Sequence, residues 1–121
     1  MRYKFKFWHK EEKQFISIWS RGWRFEPENG QIYASGMNVT ERVDIVQWTG
    51  LTDRNGKEIY EGDIMTAHGL NGIVKWIDAG WRVEWKTYDS YLLQVRHGEV
   101  IGNIYENLEL IDSLEVKHET D

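Results

Sequence analysis

Apolar and polar residues alternate with a period of two along most of this chain, the spacing of a half-buried β-strand. Tyr3, Phe5 and Phe7 alternate with Lys4 and Lys6, which predicts an opening strand with one apolar face. The polar run His9-Lys10-Glu11-Glu12-Lys13 reads as a turn. A second strand is expected over residues 14–19, with Phe15, Ser17 and Trp19 pointing one way and Ile16 and Ile18 the other. Apolar groups on both sides predict a strand buried on both faces or packed at an oligomer contact. Residues 20–37 hold Gly22, Pro27, Gly30 and Gly36. They read as a long loop with one extended piece at Gln31-Ile32-Tyr33.

Val43, Ile45 and Gln47 then alternate with Asp44, Val46 and Trp48, giving a strand that enters the run Trp48-Thr49-Gly50-Leu51-Thr52-Asp53-Arg54-Asn55-Gly56-Lys57-Glu58-Ile59-Tyr60-Glu61-Gly62-Asp63-Ile64. Asn55-Gly56 predicts a tight hairpin with positive φ angles, and Asp53 can accept amides two residues on and brace it. Gly62 predicts a second bend. Gly69-Leu70-Asn71-Gly72 reads as a loop joining strands at 64–67 and 73–77, and Asp78-Ala79-Gly80 as the next turn. In the strand that follows, Trp81, Val83 and Trp85 share one face while Arg82, Glu84 and Lys86 share the other. Further strands are expected at 91–95 and 99–105, separated by His97-Gly98. Residues 108–114 read as a last strand or a turn or two of helix, and the polar tail 115–121 as frayed.

Short strands at regular spacing predict an all-β, mainly antiparallel fold with at most short helical turns. The expected architecture is one domain over residues 1–114, with an N-terminal hairpin packed on a small SH3-like open barrel at 59–105. Within it, residues 1–47 supply the N-terminal strands and aromatic loop, and 48–64 the hairpin. At 121 residues a second full core is not expected.

Composition narrows the chemistry. The chain has no cysteine, so disulfides, thiolate catalysis and cysteine–zinc sites are excluded, as suits a reducing cytoplasm. No apolar run reaches the roughly 18 residues of a membrane span, and no export signal is evident. Seven tryptophans, six tyrosines and four phenylalanines favour pleated, half-buried surfaces and binding faces alike. The net charge of -5 is uneven: from Glu99 onward seven acids face one base, whereas the first 24 residues hold seven bases against two acids. Such polarity is ordinary solvation or a means of attraction within one molecule or between copies.

No catalytic constellation stands out. Glu58, Glu61 and Asp63 cluster beside a glycine and could hold a divalent ion or do acid–base work. The favoured reading is architectural, with Asp63 bonding amides of the turn. The four histidines His9, His68, His97 and His118 lack zinc-ligand spacing and read as surface residues. No serine lies in a nucleophile-elbow context, and no phosphate-cradling glycine loop is present. Two basic and aromatic segments, residues 2–8 and 19–25, offer Arg2, Lys4, Lys6, Arg21 and Arg24 as candidate nucleic-acid contacts beside rings able to stack on bases. The acidic pI near 5.4 weighs against a dedicated nucleic-acid binder. Trp19, Trp23 and Phe25 are candidate anchors for a protein partner or another subunit, with a lid over the core as the alternative.

Three blocks resemble a known family. Lys4-Phe5-Lys6-Phe7-Trp8-His9-Lys10, the run from Gln47 to Ile64, and Glu99-Val100-Ile101-Gly102-Asn103-Ile104-Tyr105-Glu106-Asn107 are similar, in that order, to the opening strand, central signature and closing motif of the YopX family. His9 stands where an aspartate is common, Leu108 where a proline is common, and Trp48 for a more usual tyrosine or phenylalanine. The resemblance implies a β-rich phage or prophage protein of a bacterial cytoplasm, with no active site or cofactor to carry over. The expected function is therefore non-enzymatic: binding or self-association, with a homo-oligomer or a phage or host protein as partner and no membrane. The alternatives are a nucleic-acid-binding module and, third, a metal-assisted enzyme at Glu58, Glu61 and Asp63.

Overall fold

The computed structural model describes residues 4–95, 97–107 and 109–110. These divide into two compact units, one of residues 4–47 and one running from Trp48 onward. Both are built from antiparallel strands, as the alternation predicts. The readings for residues 111–121 lie outside the described residues.

In the first unit, β1 (Phe5–His9) pairs with β2 (Gln14–Ile16) and with the first half of β6 (Val43–Thr52), placing Phe7 between Ile16 and Ile45. The second strand is shorter than its apolar pattern suggests. Its continuation folds into a 3-10 turn at Trp19–Arg21, where the Ser17 hydroxyl accepts the Ser20 amide at 3.3 Å and Gly22 closes the turn at φ 72°. A serine that bonds nearby amides competes with the strand ladder, which is the physical reason for the early stop. The turn tucks Ile18 fully into the core and leaves Trp19 outside.

Residues 23–38 are not a loop but a three-stranded meander: β3 (Trp23–Glu26), β4 (Gln31–Ala34) and β5 (Met37–Asn38). The breakers mark its turns, and the intervening runs are too short to show a clear period. Ser35 and Gly36, at φ 51° and 83°, join β4 to β5 by a two-residue hairpin. Phe7, Ile18, Ile32, Val39 and Val43 form the core of this unit.

The second unit begins with the hairpin of β6 and β7 (Glu58–Tyr60) and continues as a five-stranded half-barrel sheet in the order β11-β10-β9-β8-β12. Its strands are β8 (Asp63–Ala67), β9 (Leu70–Ile77), β10 (Gly80–Glu84), β11 (Asp89–Tyr91) and β12 (Glu99–Asn103). Ile59, Met65, Ala67, Val74, Val83, Trp85 and Leu92 make its core.

Three local readings change. A tight turn with two left-handed residues lies at His68-Gly69, φ 52° and 78°, so β9 starts at Leu70 and Gly72 is a strand residue. At Asn55-Gly56 only the glycine has positive φ, 81°, and the Asp53 amide donates to the Lys57 carbonyl at 2.8 Å. That is a three-residue loop closed by a left-handed glycine. Finally, residues 92–95 form a single helical turn, α1 (Leu92–Val95), instead of a strand. Leucine and glutamine are good helix formers, and the turn buries Leu92 in the core.

Candidate functional site

Most of the residues in the central run have architectural jobs. A bulge interrupts the β6–β7 ladder between Trp48 and Thr52, with Gly50 at φ 87°. The Thr49 hydroxyl donates to the Ile59 carbonyl at 2.7 Å and accepts the Leu51 amide at 3.2 Å, so the bulge is braced from within. Trp48 Nε1 donates to the Leu51 carbonyl at 3.0 Å. Asp53 is buried and accepts three amides at 2.9 Å: Asn55 and Lys57 on Oδ1, and Val100 on Oδ2. Burial pushes its carboxyl up, but these amide bonds outweigh burial and leave it below the ordinary value.

The acid cluster is arranged around Tyr60. Asp63 is buried and its Oδ2 accepts the Tyr60 amide at 2.7 Å. The Tyr60 hydroxyl donates to Glu58 Oε1 at 3.2 Å, and burial together with the Glu58 charge pushes that phenol up to about 12. Glu61 is half-buried, and burial raises its carboxyl. Among the described residues no group of three or more His, Asp or Glu side chains is placed to hold a metal ion.

The closing run is likewise a turn assembly. Asn103 Oδ1 accepts the amides of Tyr105 and Glu106 at 3.0 and 2.8 Å, and Asn107 Oδ1 accepts the Asn103 amide at 3.0 Å. A Cβ on Gly102 would fall 2.4 Å from Asn107 Oδ1, so the motif needs a residue without a side chain there. The central and closing runs also meet directly. Asp63 pairs with Asn103, Ile64 with Gly102, and the Ile104 amide donates to the Gly62 carbonyl at 2.9 Å.

The aromatic candidates part company. Trp19 is 69% exposed, whereas Trp23 and Phe25 are half-buried against the core of their unit. Phe25 meets Phe5 and Phe7 edge-on at 5.1 and 5.2 Å. Of the basic candidates, Arg21 makes a two-pronged pair with Glu12 at 2.5 and 2.6 Å. That contact lowers the Glu12 carboxyl to about 2. Arg24 bonds Glu26 at 2.8 Å and lies 4.7 Å over the Tyr33 ring. Lys4 and Lys6 are exposed, and Arg2 lies outside the described residues.

Two features escape a reading of the linear pattern. On the β9–β10 hairpin, Trp76 lies directly opposite Trp81, the rings edge-on at 4.9 Å, on the face that carries Val74 and Val83 into the core. Trp76 nevertheless stays 54% exposed. Tyr88, Tyr91 and Leu93 of the same unit are exposed as well. The second feature is a histidine pair: His68 and His97 bring their Nε2 atoms to 3.1 Å. The surface reading holds for both, but not for His9. That ring is buried, and its Nδ1 accepts the Glu12 amide at 3.0 Å. An aspartate oxygen could accept the same amide.

No helix of the described residues is long and apolar enough to cross a membrane. No curated protein matches the chain significantly. Among solved structures, protein EF1440 from Enterococcus faecalis is similar at 25% identity and a TM-score of 0.61, over 92% of this chain and 99% of that one. The family model described as YopX protein matches residues 4–112, a span that takes in all the described residues. The chain belongs to the YopX family.

Proposed function

We propose that this protein is a phage or prophage accessory protein of the bacterial cytoplasm that works by binding, to a second copy of itself or to a protein partner, and not by turnover. The observation that carries the reading is Trp76, exposed on the strand side that carries Val74 into the core and packed edge-on against Trp81. A large ring held in place by a neighbour loses little freedom on docking, which is what makes tryptophan an effective anchor. Trp19, exposed on its 3-10 turn, offers a similar anchor in the first unit. The carboxylates Asp53 and Asp63 support a non-catalytic reading, since both accept backbone amides that hold turns in place.

The test is light scattering coupled to size-exclusion chromatography over a hundredfold range of concentration, alongside affinity capture of tagged protein from induced cells. Association or capture that weakens at least tenfold in Trp76→Ala or Trp19→Ala, with the melting curve unchanged, supports the reading. A monomer at all concentrations that captures the same proteins with or without both tryptophans overturns it.

A further inference from the structure

We infer that His68 and His97 form a two-imidazole site for a divalent transition-metal ion of the zinc or nickel type. The site is independent of the aromatic surfaces above, and it is set by strand register. Thr66 pairs with Glu99 and Met65 with Val100, so the next same-face pair beyond the end of the ladder is His68 opposite His97. A bulge at Ile101 makes this so: below it the ladder runs one residue out of step, with Ile64 opposite Gly102. Continued without the bulge, that register would set His97 opposite Gly69.

Backbone contacts fix the two main-chain positions from which the rings project. His68 occupies the first left-handed position of its hairpin turn, at φ 52°. His97 precedes Gly98, whose amide donates to Val95 at 3.0 Å and whose carbonyl accepts the Arg54 amide at 3.2 Å. A Cβ on Gly98 would fall 2.5 Å from the Thr66 carbonyl, so the two segments approach too closely there for a side chain. With the two Nε2 atoms already 3.1 Å apart, an ion would find its ligands together and the ordering cost reduced.

Ring geometry fits a shared ion. An ion about 2.05 Å from each nitrogen would see the 3.1 Å pair at an angle of roughly 100°, between octahedral and tetrahedral values. Two rings aimed at that ion, each with about 1.15 Å from ring centre to Nε2, would have centres about 4.8 Å apart. A collinear N–H···N bond would instead put them at about 5.4 Å. The observed centre-to-centre distance of 5.0 Å lies nearer the convergent arrangement. On binding, the ring whose Nε2 carries the hydrogen shifts it to Nδ1, so that both Nε2 lone pairs face the ion. Imidazole nitrogen suits zinc, copper and nickel in preference to magnesium or calcium. The neighbouring same-face pair includes Glu99, held by Arg54 at 3.4 Å, and water completes the coordination.

The test titrates the full chain with zinc chloride, and separately with magnesium chloride, while following histidine ring signals by NMR and heat by calorimetry. The expected result is one zinc per chain, with the ring signals of His68 and His97 moving together and no response to magnesium. His68→Asn, which suits the left-handed backbone, and His97→Asn should each weaken zinc at least tenfold with an unchanged melting curve. His118→Asn should leave the affinity intact. Zinc binding of equal strength in the His68→Asn and His97→Asn variants, or no movement of the two ring signals at millimolar zinc, overturns the assignment.

Discussion

Asp53 and Val100 stand 47 residues apart in sequence, yet the Asp53 carboxylate accepts the Val100 amide at 2.9 Å. The same side chain closes its own hairpin loop through Asn55 and Lys57. One buried carboxylate therefore joins the central hairpin to the strand that begins the closing motif.

Removing that carboxylate should cost more than a turn residue normally does. Asp53→Ala leaves three amides without their acceptor and is expected to lose roughly 2–4 kcal/mol in urea denaturation. Asp53→Asn keeps an acceptor for the loop but not for Val100. It should cost about 1–2 kcal/mol and speed hydrogen exchange at the Val100 amide while sparing Lys57. Because the folded carboxyl lies below its ordinary value, its contribution is complete above about pH 4 and fades as pH falls through the lower folded value. Asp53→Asn should flatten that acid-side loss.

Glu61 has the opposite sign. Burial raises its carboxyl, so the charged form opposes folding at neutral pH and the penalty is relieved as pH falls through the raised value. Glu61→Gln is expected to stabilise the protein at pH 7 by a few tenths of a kcal/mol, about 0.3–0.5 after allowing for solvent screening. The gain should vanish by about pH 4, where the unfolded chain also takes up the proton. Thermal melts at the two pH values measure it.

Two glycines should rank differently although both have positive φ. A Cβ at Gly62 would press on Ile104 Cγ1 and Tyr105 Cε2 at 3.2 Å, whereas one at Gly56 would meet open space. Gly56→Ala is expected to cost about 1 kcal/mol from backbone strain alone, and Gly62→Ala about 2–3 kcal/mol. Gly72→Ala should be more disruptive still, since its Cβ would fall 2.6 Å from Val83 Cγ1 and 2.7 Å from Trp85 Cε3. Chemical denaturation of the three variants tests the order.

Ala79 offers a gain. It holds φ 59° in the two-residue turn between β9 and β10, a left-handed conformation that a Cβ disfavours. Ala79→Gly should stabilise by roughly 0.5–1 kcal/mol, read as a rise in melting temperature.

Strand positions in the second unit are largely legible from alternation, and the shared face of Trp81, Val83 and Trp85 is among them, because side-chain direction along a strand is local; the structure turns that face to the core. The meander at residues 23–38 is not, because strands of two to four residues hold too few alternations to outweigh Pro27, Gly30 and Gly36. The candidate surfaces were only half legible. Trp19, Trp23 and Phe25 look equivalent in sequence, and a serine-braced turn at 17–20 separates the exposed ring from the half-buried ones.

By itself the sequence determined the strand-rich class, the approximate place of several turns and the family, since alternation, glycine placement and motif order are properties of neighbouring residues. Only the tertiary structure decided which distant residues face each other. Asp53 reaches Val100 from its hairpin loop, and His68 meets His97 across 29 positions because the β8–β12 pairing and its single bulge at Ile101 set the register. Register depends on the side-chain fit of two strands far apart in the chain, and a shift of one residue turns every side chain to the other face.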